Sequence, residues 1–261
     1  MEIFGVINAS PDSLADFSVA TTAEDAEAYA RKLLSEGADH IDLGGQASHG
    51  DAVKVTPDEE WAILEAPLRA IVALGVAVSV DTWQVETARR AFDAGATVLN
   101  AAEALQDTAM LEFAAERECD VVLPFMLGDD PRHLKHVEGD PVEVMLSWFD
   151  ERLRELDKYG IRERCYLDPG TGFGPAHWDW SDRAEYQRKI YSGLDRLRRV
   201  RLADLRVGSV EANTGPDVAA RHCTVAQHRL RSSALSRAST RAPQRVEPRL
   251  AVNLFADVLV P

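Results

Sequence analysis

The chain has 261 residues, 46% apolar and 28% charged, which is enough to bury the core of a single α/β barrel and excludes a disulfide-stapled mini-protein. With 43 acidic residues against 29 basic ones, the formal net charge is −14, and such a field repels phosphate backbones and anionic headgroups, so neither nucleic acid nor a membrane is expected as a partner. No run approaches the ~20 apolar residues of a bilayer span. Met1-Glu2-Ile3-Phe4-Gly5 lacks a basic start with an apolar stretch behind it, and the expected setting is cytoplasmic. Cys119, Cys165 and Cys223 are far apart and odd in number, so they read as free thiols.

Taken in chain order, short β-branched runs predict strands at Ile3 to Asn8, His40 to Leu43, Val76 to Asp81, Thr97 to Asn100, Asp120 to Phe125 and Cys165 to Asp168. Helices fill the intervals. Thr21 and Thr22 before Glu24 and Asp25 mark the start of the first, Pro57-Asp58-Glu59-Glu60 the second, and a long one runs from about Val142 to Tyr159. Gly37, Gly75, Gly95 and Gly160 each close a helical segment a few residues before the next strand, the position where a left-handed residue ends a helix at least cost. Trp178, Trp180, Tyr186 and Tyr191 read as packing residues around a sixth helix. Trp178 is also a candidate cover for a flat ligand.

Alternating strands and helices imply a parallel sheet with right-handed crossovers, either open and doubly wound or closed as a barrel, and periodicity does not choose between them. In both, ligands sit at the carboxyl ends of the strands. Those ends carry Asn8, Asp42, Asp81, Asn100, Met126 and Asp168, a set rich in hydrogen-bond acceptors that suits a ligand with several N–H donors. Each has a plainer reading. Asp42 alone fits the cap of the next helix, Asp81-Thr82 fits a cap near Gln84, and Asn100 fits a turn. Four or more at one mouth favour binding.

LDPGTGFG, residues 167–174, is a sharp turn suited to close approach of a flat ligand, not a dinucleotide fingerprint, since Pro175 stands where a third glycine belongs. His133 and His136 fall in a polar loop and read as solvated, and Ser10 and Ser13 lack a nucleophile elbow.

Composition shifts near Leu205. Residues 205–261 hold 8 basic and 4 acidic residues, against 21 and 39 before them. The expected organisation is therefore a barrel body over 1–204 and a divergent basic segment over 205–261. A disordered tail, a basic arm and a change of reading frame are the open explanations. LAVNLFADVLV within it retains strand or helix character.

GVINASPDSLAD, GADHIDLGGQAS, VSVDTWQVETARRAFDAGATVLN and LDPGTGFG resemble, in family order, the motifs GIxNxTPDSFSD, GAxxIDxGGEST, SVDTxxxxVAxxAxxAGAxxxN and LDPGxGFG of the dihydropteroate synthases, which are pterin-binding (β/α)8 barrels. The resemblance spans residues 1 to about 174. It implies a TIM barrel, with the C-terminal quarter aberrant or incompletely closed, and a transferase that condenses a 7,8-dihydropterin methyl diphosphate with para-aminobenzoate. It also implies Mg2+ as cofactor, with Asn8 at the magnesium-diphosphate position. Ser48 stands at the hydroxyl position of the second loop, and Asp81, Asn100 and Asp168 stand at the pterin contacts. Family members tend to pair through late helices, which suggests a homodimer.

The sequence departs from the pattern where Gln46 replaces Glu, where His49-Gly50-Asp51 replaces Arg-Pro-Gly, and where Ala101 replaces Asp. The last lysine is Lys189, so the late Ser-Arg-Lys and Arg-x-His motifs have no match. Two other readings follow from these differences: a catalytically impaired pterin- or folate-binding homologue, and a methyltetrahydrofolate methyltransferase on the same barrel.

Overall fold

The computed structural model describes residues 2–11, 18–47, 55–128, 134–170, 180–199 and 251–254. Seven parallel strands form one sheet: β1 (Glu2–Asn8), β2 (His40–Gly44), β3 (Val78–Asp81), β4 (Val98–Asn100), β5 (Asp120–Pro124), β6 (Cys165–Asp168) and β7 (Ala251–Leu254). Six helices connect or follow them: α1 (Ala23–Ser35), α2 (Pro57–Val72), α3 (Val85–Asp93), α4 (Thr108–Glu116), α5 (Pro141–Asp157) and α6 (Trp180–Arg199). The strand order is β6-β5-β4-β3-β2-β1-β7. β1 to β6 follow one another in chain order, and β7 joins the other edge of β1. Cα atoms of β6 and β7 come within 8 Å of each other, so the sheet curls round on itself as a barrel. Among the described residues no hydrogen-bonded ladder joins these two strands.

Helix boundaries follow local chemistry. Thr22 caps α1 by accepting from the Asp25 N–H. Thr56 and Glu59 form a reciprocal capping box at α2, and Asp107 and Asp140 cap α4 and α5. The expected fifth strand ends one residue early, at Pro124, although the Phe125 N–H still donates to the Asp168 carbonyl. Met126 lies beyond the strand but is buried. Residues 251–254 are a strand, one of the two states expected for LAVNLFADVLV.

Alternation divides the sheet into two faces. A Cβ on Gly5 would come within 2.9 Å of Leu33 on α1, so the odd residues of β1 face the helices. Register carries that parity round the sheet: Ile41, Leu43, Val78, Val80, Leu99, Val121, Leu123, Cys165 and Leu167 join the helix side chains in the main core. The other face lines the barrel interior. Phe4, Val98, Val122 and Tyr166 form a separate apolar cluster there, with the Phe4 and Tyr166 rings edge-on at 5.6 Å. Below that waist, the Tyr166 hydroxyl lies 3.2 Å from Glu2 and 3.3 Å from Asp120, and His40 lies 2.7 Å from Glu2. Among the described residues the interior is thus polar at the floor and at the rim, with this apolar cluster between them.

Candidate active site at the carboxyl ends of the strands

Register assembles the rim. Asn8 pairs with Gly44, Gly44 with Asp81 and Asp81 with Asn100, so three polar side chains and one glycine form a row across four adjacent strands. A Cβ on Gly44 would sit 3.6 Å from Asp81 Oδ2 and 3.7 Å from Asn8 Oδ1. The missing side chain therefore leaves a notch with an acceptor oxygen on each side. Asn8 Nδ2 donates to Ser18 Oγ at 2.6 Å, which leaves its carbonyl end toward that notch.

Asp168 pairs with Pro124 one level higher, on the far side of β5. It is 3% exposed, and its Oδ1 accepts the Gly170 N–H at 2.8 Å, so local backbone holds one of its oxygens. Gly170 adopts φ +61°, a conformation that a side chain would strain, and the LDPG turn depends on it. Ser48, Trp178 and His133 lie outside the described residues.

The simpler expectations for individual strand ends give way to other contacts. Asp42 is not a helix cap: α2 is capped by Thr56, and Asp42 accepts from Asn100 Nδ2 at 2.9 Å. Asn100 is thereby committed to a side-chain pair and not to a turn. Asp81 does not cap α3. Its neighbour Thr82 accepts from the Gln84 N–H, the first contact of that helix entry.

Two carboxylates escaped the sequence reading. Glu60, in the first turn of α2, is 1% exposed and receives the Thr82 hydroxyl at 3.0 Å and the Gln84 amide at 2.8 Å, tying α2 to the loop that follows Asp81. Burial raises its pKa, opposed by those donors. Glu103 sits in the loop after Asn100 with both carboxyl oxygens buried and unpartnered, and burial pushes its pKa up to about 7. That loop carries two non-glycine residues with positive φ, Ala104 and Leu105, and Arg152 of α5 donates to both of their carbonyls. The signal for Glu103 was a single carboxylate embedded in Ala-Ala-Glu-Ala-Leu, a segment otherwise small and apolar.

Burial also raises the Asp42 carboxyl, opposed by the nearby Ser79 hydroxyl and by Asn100, which alone of the two forms a hydrogen bond. Among the described residues of the six strand-to-helix loops, Lys135 is the one Lys or Arg, and it is exposed. The rim offers acceptors against few cations, which is a site for a ligand edge made of N–H groups. His136 is exposed, and no group of three His, Cys, Asp or Glu placed to hold a metal occurs among the described residues.

Comparison with known proteins gives these residues a context. The profile of the pterin binding enzyme family matches residues 4–241, running past the expected boundary at 204. A type-2 dihydropteroate synthase of Escherichia coli is 36% identical over 173 residues, 66% of this chain and 64% of its own length, so the match spans just under two thirds of that relative. Among solved structures, dihydropteroate synthase of Thermus thermophilus in complex with 4-aminobenzoate superposes with a TM-score of 0.66 at 26% identity, covering 98% of this chain and 89% of that one. That of Xanthomonas albilineans with 4-aminobenzoic acid gives 0.67 at 25%, covering 99% and 89%. The curled sheet is accordingly the (β/α)8 barrel of these enzymes.

Proposed function

The chain belongs to the pterin-binding enzyme family, and on that premise we propose that it is a dihydropteroate synthase-type transferase, condensing a 7,8-dihydropterin methyl diphosphate with para-aminobenzoate. The observation that carries this reading is the acceptor row Asn8, Asp81 and Asn100 around the Gly44 notch, with Asp168 across the rim. A pterin presents N–H donors along one edge, and carboxylates pair with such edges through charge-assisted hydrogen bonds. Ser48 belongs to the proposed site as a hydroxyl donor of the second loop.

In the proposed reaction the C–O bond to diphosphate breaks, the aniline nitrogen forms the new C–N bond, and a proton leaves that nitrogen. The chain's share is orientation: it holds the ring edge still while the exocyclic carbon faces the acceptor amine. Asn8 fits a magnesium role, since its amide nitrogen is engaged by Ser18 and its hard carbonyl oxygen lies beside the Gly44 notch. Mg2+ takes few protein ligands and completes its shell with phosphate and water, so the lack of a carboxylate cage among the described residues is compatible with it. When bound, it would neutralise charge on the departing diphosphate. The proposal includes a cytoplasmic setting and pairing of two copies. No helix among the described residues is long and apolar enough to cross a membrane.

Because the last lysine is Lys189, a second reading is a homologue that binds the pterin and turns over slowly or not at all. Calorimetric titration with 6-hydroxymethylpterin tests what both share: binding is expected, and no heat together with no thermal shift would end both. A turnover assay with the dihydropterin diphosphate, para-aminobenzoate and Mg2+ separates them. Diphosphate release with formation of the C–N product supports the first reading, and binding without release supports the second.

A further inference from the structure

Asp42 lies one register step beneath the rim, level with Val6, Ser79 and Val98, while Gly44, Asp81 and Asn100 stand in the row above it. Gly44 places no side chain over it. The Asn100 side chain, two strands away, reaches down to it with Nδ2 2.9 Å from Asp42 Oδ2. Asp42 is 4% exposed, and its Oδ1 is buried with no hydrogen-bond partner.

A carboxamide has a donor end and an acceptor end of nearly the same shape, and only its partners decide which end goes where. A carboxylate accepts and does not donate. Facing Asp42, Asn100 must turn its NH2 inward and its carbonyl oxygen the other way, toward the mouth. We propose that Asp42 is a positioning residue that locks the Asn100 amide with its oxygen presented to the ligand, so that the site selects rings carrying an N–H at that point. Identification of the ring as a pterin rests on the function proposed above. The amide orientation does not.

The role is specific to a carboxylate. Asparagine at position 42 would satisfy either orientation of Asn100 and remove the selection without removing the contact. Asn100→Asp would set two carboxyls against each other. Exchanging the two residues restores the polarity: in D42N/N100D the amide at 42 donates to the carboxylate at 100, whose second oxygen is again an acceptor at the mouth. A merely structural role predicts changes in melting temperature and none in this pattern of affinities.

The test is titration of 6-hydroxymethylpterin into the full-length wild type, D42N, N100D and D42N/N100D, each checked for folding by its melting transition. Both single variants should bind about tenfold more weakly or worse, and the exchanged pair should return to within about threefold of wild type. A folded D42N that binds as tightly as wild type, or a folded exchanged pair that stays as weak as the singles, overturns the proposal. An arm without ligand covers a wild type that binds no pterin or variants that do not fold: the Asn100 side-chain 15N–1H resonances of the wild type. Protection of an Asn100 amide proton from solvent exchange at neutral pH, lost once Asp42 is protonated at low pH, supports the lock. Asn100 amide protons that exchange with solvent at the unprotected rate at neutral pH refute it. Absence of pterin binding with a locked amide refutes the proposed function and leaves the positioning role standing.

Discussion

Gly44 and Gly45 are adjacent, and the structure gives them opposite tolerances. A Cβ on Gly44 would make ordinary contacts of 3.6 and 3.7 Å with Asp81 and Asn8, whereas one on Gly45 would lie 2.6 Å from Leu64 Cγ in the main core. Gly45→Ala is expected to cost about 1–3 kcal/mol through overpacking. Gly44→Ala should leave the urea midpoint unchanged and weaken pterin binding instead, because its methyl group occupies the notch. Chemical denaturation and titration of both variants check this contrast.

Glu103 supplies a pH dependence of known sign. Below pH 4.5 its carboxyl carries a proton whether or not the chain is folded. Between 4.5 and about 7 the unfolded chain releases that proton and the folded chain keeps it, so stability falls as pH rises through this window and then levels off. At 1.36 kcal/mol per unit the loss is on the order of 3 kcal/mol. Glu103→Gln should therefore be more stable than wild type at pH 8 and nearly equal to it at pH 4. Guanidinium midpoints at the two values measure the difference.

At the scale of elements, the loop after β3 is held from outside the barrel by Glu60. Glu60→Ala leaves the Thr82 hydroxyl and the Gln84 amide without their buried acceptor and should cost about 2–4 kcal/mol, read from the urea midpoint. Thr56→Ala, which breaks the exposed capping box of the same helix, should cost nearer 1 kcal/mol. Strands β2, β3, β4 and β6 were readable because each is a short apolar run between a helix-ending glycine and a polar residue, signals that act over a few positions. Asn8, Asp81, Asn100 and Asp168 stand at the strand ends where the sequence put them. Which groups bond to which was not readable. Asp42 looked like a cap because a cap is the commonest local use of such a residue, while its actual partner is 58 positions away. Glu60 was hidden in an acidic first turn, where Asp58 and Glu59 face solvent and only the third member turns inward.

For the whole molecule, closure is a non-local property that periodicity does not encode. The placement of β7 on the free edge of β1 and the approach of β6 to β7 decide it. β7 pairs with β1 from Glu2 to Gly5. A chain truncated after residue 250 should lose amide-exchange protection along that edge of β1 and melt at a lower temperature, while retaining the ladder from β1 to β6. Exchange mass spectrometry of the two forms is the measurement.

That pairing sets Glu2 beside Ala251, residues very distant in the chain. On the ribosome, at roughly 5–20 residues per second, β1 precedes β7 by on the order of tens of seconds. Throughout synthesis one margin of the nascent sheet lies open to whatever strand drifts past. That edge of β1 is covered only once residues 251–254 have been made.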